Sequence, residues 1–457
     1  MTAPMPAILF TVFQAHEPPR LSKGFSLDAQ GMLVRKPGGI LLRGTARRIS
    51  VQTLAEFAAA LTQLTPSQAT AYGISGHDYA LVVRKRDLDH VTAELPVIAR
   101  SREAFRWPEG PGILMLDYDP PDDEAPLAPE DWRERLYSVW PQLSLAPHLW
   151  RPSASSCIEH VETGEVLHSI TGQRLYVLVA NARDIARAGE TLIQRLWLAG
   201  QGRHAVSRSG ALLERTLIDG AVWQPERLDF CGGAFCHPPL VQKLTEPLIF
   251  HGDAPPIDTR ATLPSLTAEE KAQLAKLKHA LRQQPELVEA VELAQHTWIA
   301  DRLEAWKATE PEADVHVVSD LLRRAVCDKR LLGDFPIILD DGAHVTVRTL
   351  LDDPDRYHHR RCTDPLEPDY RADSRIAWIN LRNAGRAYVY SHAHGGQRFT
   401  LHRAIQTLRL TGGELPLRVR QILELMRLDG TVFDRGGELV RVNDTGQVFA
   451  VTPEWLT

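Results

Sequence analysis

The sequence predicts an α+β protein of several domains. Three observations carry that reading. Apolar runs of strand length, such as Tyr79-Ala80-Leu81-Val82-Val83 and Leu175-Tyr176-Val177-Leu178-Val179, recur between stretches with helical spacing. The length, 457 residues, exceeds what one hydrophobic core usually serves. Near Ala254-Pro255-Pro256-Ile257-Asp258 the composition turns to linker, and charged helical patterns follow it.

Composition is that of an ordinary soluble chain, 44% hydrophobic and 24% charged. A net charge of −6 announces no polyanionic partner for the whole molecule, so any nucleic-acid site must be a local basic patch. The five cysteines, Cys157, Cys231, Cys236, Cys327 and Cys362, are odd in number, scattered and without a CxxC pair, which points to reduced thiols and a cytoplasmic location. The apolar run from Ile8 to Phe13 is too short for a membrane span and has no basic residue before it. No membrane partner is expected.

In chain order, Leu33-Val34-Arg35-Lys36-Pro37-Gly38-Gly39 and Ile49-Ser50-Val51 read as strand and turn pieces. Leu54, Phe57, Ala58 and Leu61 are spaced for one helical face. The strand at 79–83 runs into Arg84-Lys85-Arg86, which is either a contact for DNA phosphates or a solvated strand end. The stretch Gly112-Ile113-Leu114-Met115-Leu116-Asp117-Tyr118-Asp119 is a buried strand by its apolar run, and side chains two apart leave one face of a strand. Asp117 and Asp119 therefore project together, a pairing of hard oxygen ligands suited to Mg²⁺ or Mn²⁺. The plainer alternative is a strand entering a polar turn at Pro120-Pro121-Asp122-Asp123-Glu124.

A helix follows from Asp131 to Trp140, then the hydroxyl-rich Ser153-Ala154-Ser155-Ser156. Next, Ser169-Ile170-Thr171-Gly172-Gln173-Arg174 feeds the strand at 175–179. Small hydroxyl residues, a glycine and a cation at such an entry can cradle a triphosphate, because backbone donors and fixed charge converge there. An amphipathic helix spans 187–199 with Leu192, Leu196 and Ala199 on one stripe. After it come Ser207-Arg208-Ser209-Gly210 and Leu212-Leu213-Glu214-Arg215-Thr216-Leu217-Ile218-Asp219. Asp219 ends a strand-like run with a third carboxylate, and three carboxylates at neighbouring strand ends could hold two metal ions.

Taken together, the Asp117-Tyr118-Asp119 strand, the Ser-x-Thr-Gly entry and the segment from Arg215 through Asp219 to Val222-Trp223-Gln224-Pro225-Glu226-Arg227-Leu228-Asp229-Phe230 resemble the archaeo-eukaryotic primase superfamily. The likeness is to primase-polymerases of phages, plasmids and integrated elements in bacterial cells. It covers about residues 1–250. It implies an α+β catalytic domain of mixed and antiparallel sheets flanked by helices, performing templated nucleotidyl transfer from dNTP or NTP on single-stranded DNA with a two-metal Mg²⁺ or Mn²⁺ site. Asp117 and Asp119 correspond to the family's first metal motif and Asp219 to its third, as metal ligands and catalytic residues. Ser169, Thr171 and Gly172 fit the approach to the nucleotide motif, whose Ser-x-His histidine is replaced by Arg174. An arginine holds phosphate bidentately but cannot act as a neutral imidazole, so Arg174 carries over as a phosphate binder only. Arg208 and Arg215 are further candidates for nucleotide or template.

Residues 251–312 read as a helical linker, opened by the capping box Thr267-Ala268-Glu269-Glu270 and broken at Pro285. Residues 313–400 read as a small α+β region with a hairpin turning at Asp340-Asp341-Gly342. It carries His358-His359, Cys362, Asp364-Pro365-Leu366-Glu367-Pro368 and His392-Ala393-His394-Gly395-Gly396, whose spacings fit no standard zinc finger. The last two segments resemble the stretch between primase and helicase in mobile-element proteins. Residues 401–457 read as helix, helix and wing, with helices at 401–409 and 416–427, a winged-helix pattern that binds DNA or a partner domain. No GxxxxGK[ST] loop is present, so no ATPase motor is expected here; the chain reads either as a stand-alone primase-polymerase or, the favoured reading, as the N-terminal part of a longer primase-helicase, with the helicase as a further domain or a separate subunit. Two other readings stay open, a non-catalytic replication initiator with a degenerate primase domain and a metal-dependent nuclease.

Overall fold

The computed structural model describes residues 6–121, 124–370, 373–383, 385–403, 432–435, 438–442 and 448–450. The fold is mixed α+β, and the chain divides into two units, one of Met1–Arg203 with Glu214–Leu281 and one of His204–Leu213 with Arg282–Thr457. None of the described helices is long and apolar enough to cross a membrane.

The first unit is built on two sheets. In the first, Ile8–Glu17 lies between Gln68–Ala71 and Arg43–Val51, followed outward by Tyr79–Val83 and Val97–Ala99, antiparallel except for the last pair. The near-continuous apolar run of Ile8–Glu17 has a simple cause. Ile8, Phe10 and Val12 pack into the main core, while Phe13 and Ala15 leave the opposite face into a second core with Leu41, Phe105 and Leu228. The second sheet orders Gly112–Tyr118, Gln173–Val179, His148–Pro152 and Leu248–Phe250, antiparallel throughout. Its central side chains Leu114, Leu116, Leu175 and Val177 are fully buried in the main core.

Helix Leu54–Thr62 buries Leu54, Phe57, Ala58 and Leu61, the face its spacing predicted. Thr53 accepts from the Glu56 N–H, which satisfies one of the helix's first amides, and Glu56 reaches back to the Gln52 N–H just before the cap. The predicted box at Thr267 is likewise formed, with Thr267 and Glu270 bonding each other's amides at 3.2 and 2.8 Å. That helix, Ala268–Arg282, belongs to the first unit, because Leu274 packs with Trp197 and Leu266. The stretch expected as one helical linker is thus divided near Pro285, where helix Pro285–Thr309 begins the bulk of the second unit.

In the second unit, helix Val315–Asp328 and Trp298 cover one face of a five-stranded sheet ordered Arg330–Leu331, Gln397–Leu401, Tyr388–Ser391, Ala377–Asn380 and Arg361–Cys362. The expected hairpin is present as Pro336–Ile338 against His344–Thr346, and Gly342 in its turn takes the left-handed φ of +86° that favours glycine. Leu401 corrects the sequence reading, since it closes a strand beside Leu331 where a helix was expected to start. His402 and Arg403 follow it outside any helix, and the rest of both predicted helices, from residue 404, lies outside the described residues. Strands Val432–Arg435, Glu438–Val442 and Val448–Ala450 form the antiparallel sheet that the wing pattern predicted.

Candidate active site

Asp117 stands at the end of strand Gly112–Tyr118, directly opposite Arg174 on strand Gln173–Val179. Along the free edge of the same strand runs the segment from Leu217 to Trp223. The Asp219 amide donates to the Asp117 carbonyl at 2.9 Å, and the Trp223 indole N–H donates to the Met115 carbonyl at 2.8 Å. Trp132 fixes the other end by donating to the Leu217 carbonyl at 3.2 Å. The sequence-predicted residues Asp117, Asp119, Thr171, Gly172, Arg174 and Asp219 thereby come from three chain segments to one end of one sheet.

The strap from 217 to 231 explains the apolar pattern around Asp219. Val222 and Trp223 are buried in the main core. Trp223 fits only because residue 189 is glycine: a Cβ there would lie 2.2 Å from the indole. Gly73 is crowded in the same way, with its amide bonded to the Pro225 carbonyl at 2.9 Å and a hypothetical Cβ 2.4 Å from Pro225. Beyond it, Asp229 pairs with Thr70 of the first sheet through two backbone bonds of 2.9 and 2.7 Å. One segment thus fastens both sheets together and delivers Asp219 and Asp229.

Asp229 is the anchor of the site. Its carboxylate, 1% exposed, accepts from the Tyr72 hydroxyl at 2.5 Å, the Tyr176 hydroxyl at 2.9 Å and Arg174 Nη1. Arg174 also donates Nε to Asp117 Oδ1 at 3.2 Å and Nη1 to the Phe230 carbonyl at 3.3 Å. Burial opposes charge on this guanidinium, but the Asp229 and Asp117 carboxylates outweigh it and hold Arg174 firmly protonated. Asp117 is perturbed the other way. Burial pushes its carboxyl up to about 6, Arg174 opposes that rise, and the neighbouring charges of Asp119 and Asp229 add to it.

Cations face these acids from the hairpin of Gly24–Leu27 and Leu33–Lys36. Lys23, just before the first strand, has its pKa lowered by loss of solvent, with Arg35 and Arg174 adding to the effect and the charges of Asp119 and Asp117 resisting it. Arg35 reaches His168, Nη2 to Nε2 at 3.3 Å, and the same ring nitrogen lies 3.4 Å from the Thr171 hydroxyl. Burial, then Arg35 and Lys23, lower the His168 pKa, so the ring is neutral at pH 7. His168 stands six residues before Arg174 in the chain. Gly172 closes the floor: its carbonyl accepts from the Ser153 amide at 2.8 Å, and a Cβ there would stand 3.0 Å from Ser153 and 3.2 Å from Asp119 Oδ1.

The other sequence candidates stand elsewhere. Arg84 pairs with Asp87 at 2.5 Å, Lys85 with Glu103 at 3.1 Å and Arg86 with Asp87 at 3.8 Å, at a turn of 3₁₀ helix, so two acids serve the three basic residues. Arg208 belongs to the second unit, where it holds both oxygens of Asp369 at 2.8 and 2.9 Å. Arg215 is exposed and donates to the Glu214 carbonyl at 3.2 Å. Ser169 is exposed at the rim.

Conversely, Lys23, Arg35, His168, Asp229 and Arg151 are site residues that sequence reasoning missed. Arg151 opposes Arg174 on the next strand, is 5% exposed, and keeps a buried Nη1 without a hydrogen-bond partner among the described residues. It lines a cavity of about 440 Å³ together with Cys231, Gly232, Gly233 and Gln242.

The donor set of Asp117, Asp119 and Asp219 consists of carboxylate oxygens, the chemistry a hard divalent cation requires. As placed, Asp117 gives one oxygen to Arg174, and among the described residues no three His, Cys, Asp or Glu side chains converge closely enough to hold a metal ion. This holds equally for the histidines and Cys362 of the second unit; Cys362 is fully buried, with a thiol that burial pushes up to about 12. No protein-family model, curated protein or solved structure compared with the chain matches it.

Proposed function

We propose that the Asp117 site is a nucleotidyltransferase centre, and that the protein is a primase-polymerase extending or starting chains on a single-stranded DNA template from dNTP or NTP. The observation that carries this is the Asp219 amide bonded to the Asp117 carbonyl. It sets the backbone of Asp219 beside that of Asp117, at the strand end that also holds the Thr171-Gly172 entry and faces Lys23, Arg35 and His168. Acids on one wall and cations on the other suit a triphosphate whose charge must be held at both ends.

In this reading Asp117, Asp119 and Asp219 would hold Mg²⁺ or Mn²⁺, which supplies charge neutralisation at the transferred phosphoryl group and lowers the pKa of the attacking hydroxyl. Lys23 and Arg35 bind the terminal phosphates, and neutral His168, held by Thr171 and Arg35, donates a hydrogen bond to them. Arg174, committed to Asp229 and Asp117, positions the first carboxylate. We also propose, on the sequence resemblance, that the protein belongs to a mobile element and acts with a helicase domain or subunit.

Triphosphate binding tests the reading. Calorimetric titration with dATP or ATP and Mg²⁺ should give binding that Lys23→Ala and Arg35→Ala each weaken about tenfold or more, since a bond to a charged group contributes about 1.5–3 kcal/mol. Equal affinity in wild type and both variants, or no binding, would remove the support.

A further inference from the structure

The five-stranded sheet of the second unit has one face packed on the core through Ala377, Ile379, Val389, Phe399 and Leu401. Its other face carries an ordered row. Arg361 stands directly opposite Trp378, Trp378 opposite Tyr390, and Tyr390 opposite Arg398. Directly opposed residues project from the same face of a sheet, so Arg, Trp, Tyr and Arg cross four adjacent strands in line. Neighbouring strands lie about 4.8 Å apart, which makes the row about 14 Å wide. Beside it, Tyr388 stands between Asn380 and Thr400.

The rings form a continuous surface. Centroids lie 5.6 Å apart for Trp378 and Tyr388, 6.5 Å for Trp378 and Tyr390, and 5.1 Å for Tyr390 and His392. The Arg398 guanidinium lies 4.3 Å from the Tyr388 centroid. Trp378, Tyr388 and Tyr390 are half-buried, so each keeps part of its surface open to solvent.

Cross-strand aromatic pairs stabilise sheets by themselves, but charge separates this face from an ordinary one. The acids nearby are taken: Asp340 and Asp341 by Arg360, Asp340 also by Arg375, and Asp355 by Arg382. Arg361 and Arg398 have no carboxylate partner among the described residues. Aromatic rings flanked by uncompensated guanidinium groups complement a chain of unpaired bases joined by phosphates.

We infer that this face is a platform for single-stranded DNA, with bases stacking on Trp378 and Tyr390 and phosphates meeting Arg361 and Arg398. Duplex DNA does not fit, because its bases are already stacked on one another. The choice of DNA over RNA rests on the templated-synthesis reading of the Asp117 site; the platform itself does not.

The test is fluorescence anisotropy of labelled oligo(dT) with the full chain in EDTA and without nucleotide, beside oligo(U) and duplex DNA. Trp378→Ala and Tyr390→Ala should each weaken oligo(dT) binding about tenfold, and Trp378→Phe should retain most of it. Arg361→Gln and Arg398→Gln should each reduce the slope of log affinity against log salt by about 0.7. Arg348→Gln, at a residue paired with Asp334, should change nothing. Should an alanine variant fail to fold, photocrosslinking of wild type to 5-iododeoxyuridine oligonucleotides must yield adducts at Trp378 or Tyr390. Unchanged affinity in all four variants, adducts elsewhere, or equal binding of duplex overturns the platform, and tighter binding of oligo(U) overturns the choice of DNA. Because binding is read in EDTA and without nucleotide, its outcome stands apart from synthesis at the Asp117 site, so failure of one reading is distinguishable from failure of the other.

Discussion

Replacing Asp229 by asparagine tests the anchor on which the site geometry depends. The carboxylate is 1% exposed and receives Arg174, Tyr72 and Tyr176, while Arg174 is itself only 12% exposed. Removing one charge of a buried pair costs about 3–5 kcal/mol, because the other charge stays behind without its counter-ion. Asp117 still accepts from Arg174 Nε, which places the expected cost at the lower end, about 3 kcal/mol. For a unit of this size about 1 kcal/mol corresponds to 2–4 °C, so the melting temperature should fall by about 6–12 °C. Differential scanning calorimetry of wild type, Asp229→Asn, Arg174→Met and the double variant forms the assay. The double variant should recover part of the loss, since it removes both buried charges. A melting temperature within about 2 °C of wild type for Asp229→Asn would refute the reasoning.

Other consequences follow from the same geometry. Asp117 titrates at about 6 against a usual 3.8, so its ionisation costs folded stability as pH rises through that window; Asp117→Asn should unfold at higher temperature than wild type at pH 7.5, with the difference vanishing near pH 4 in thermal melts. Glu367 in the second unit shows the opposite sign. Burial opposes its ionisation, but His394 at 3.1 Å and the Ser209 amide at 3.2 Å hold its carboxyl at about 2, so its stabilisation is present above about pH 4.5 and lost toward pH 2, a dependence that Glu367→Gln should abolish in acid-unfolding curves. Gly189→Ala should destabilise the first unit by about 1–3 kcal/mol in urea unfolding, because the added methyl collides with Trp223. Gly172→Ala should lower triphosphate affinity with little change in melting temperature, since its Cβ would crowd Ser153 and Asp119 at the open end of the site.

Much of the local structure was legible from spacing. The apolar run before Asp117 made a strand, the Thr53 and Thr267 boxes made helix starts, and Asp340-Asp341-Gly342 made a turn, because each depends on neighbours in sequence. The site was legible as far as Asp117, Asp119, Asp219 and the Thr171-Gly172-Arg174 entry. That Arg174 would turn away from solvent toward Asp229 depends on a pairing across 55 residues and on a bridge between Asp229 and Thr70, neither of which leaves a periodic trace. The charge of Arg84-Lys85-Arg86 was visible, and so was Asp87 directly after it, but Glu103 was tied to Lys85 only by the fold. Lys23 and Arg35 gave no signal because they act from a hairpin that pairs in parallel with Phe235–Cys236, some two hundred residues away. The Arg-Trp-Tyr-Arg row was hidden for the same reason: its members come from four separate strands.

The central claim is best tested by nucleotide incorporation on single-stranded DNA, with and without a primer, using labelled dNTPs or NTPs and Mg²⁺ or Mn²⁺. Wild type should yield template-dependent, cation-dependent products, and the Asp117→Asn and Asp219→Asn variants, folded by calorimetry, should yield none. Absence of product from folded wild type under every nucleotide and cation combination, or equal product from the variants, would contradict the account.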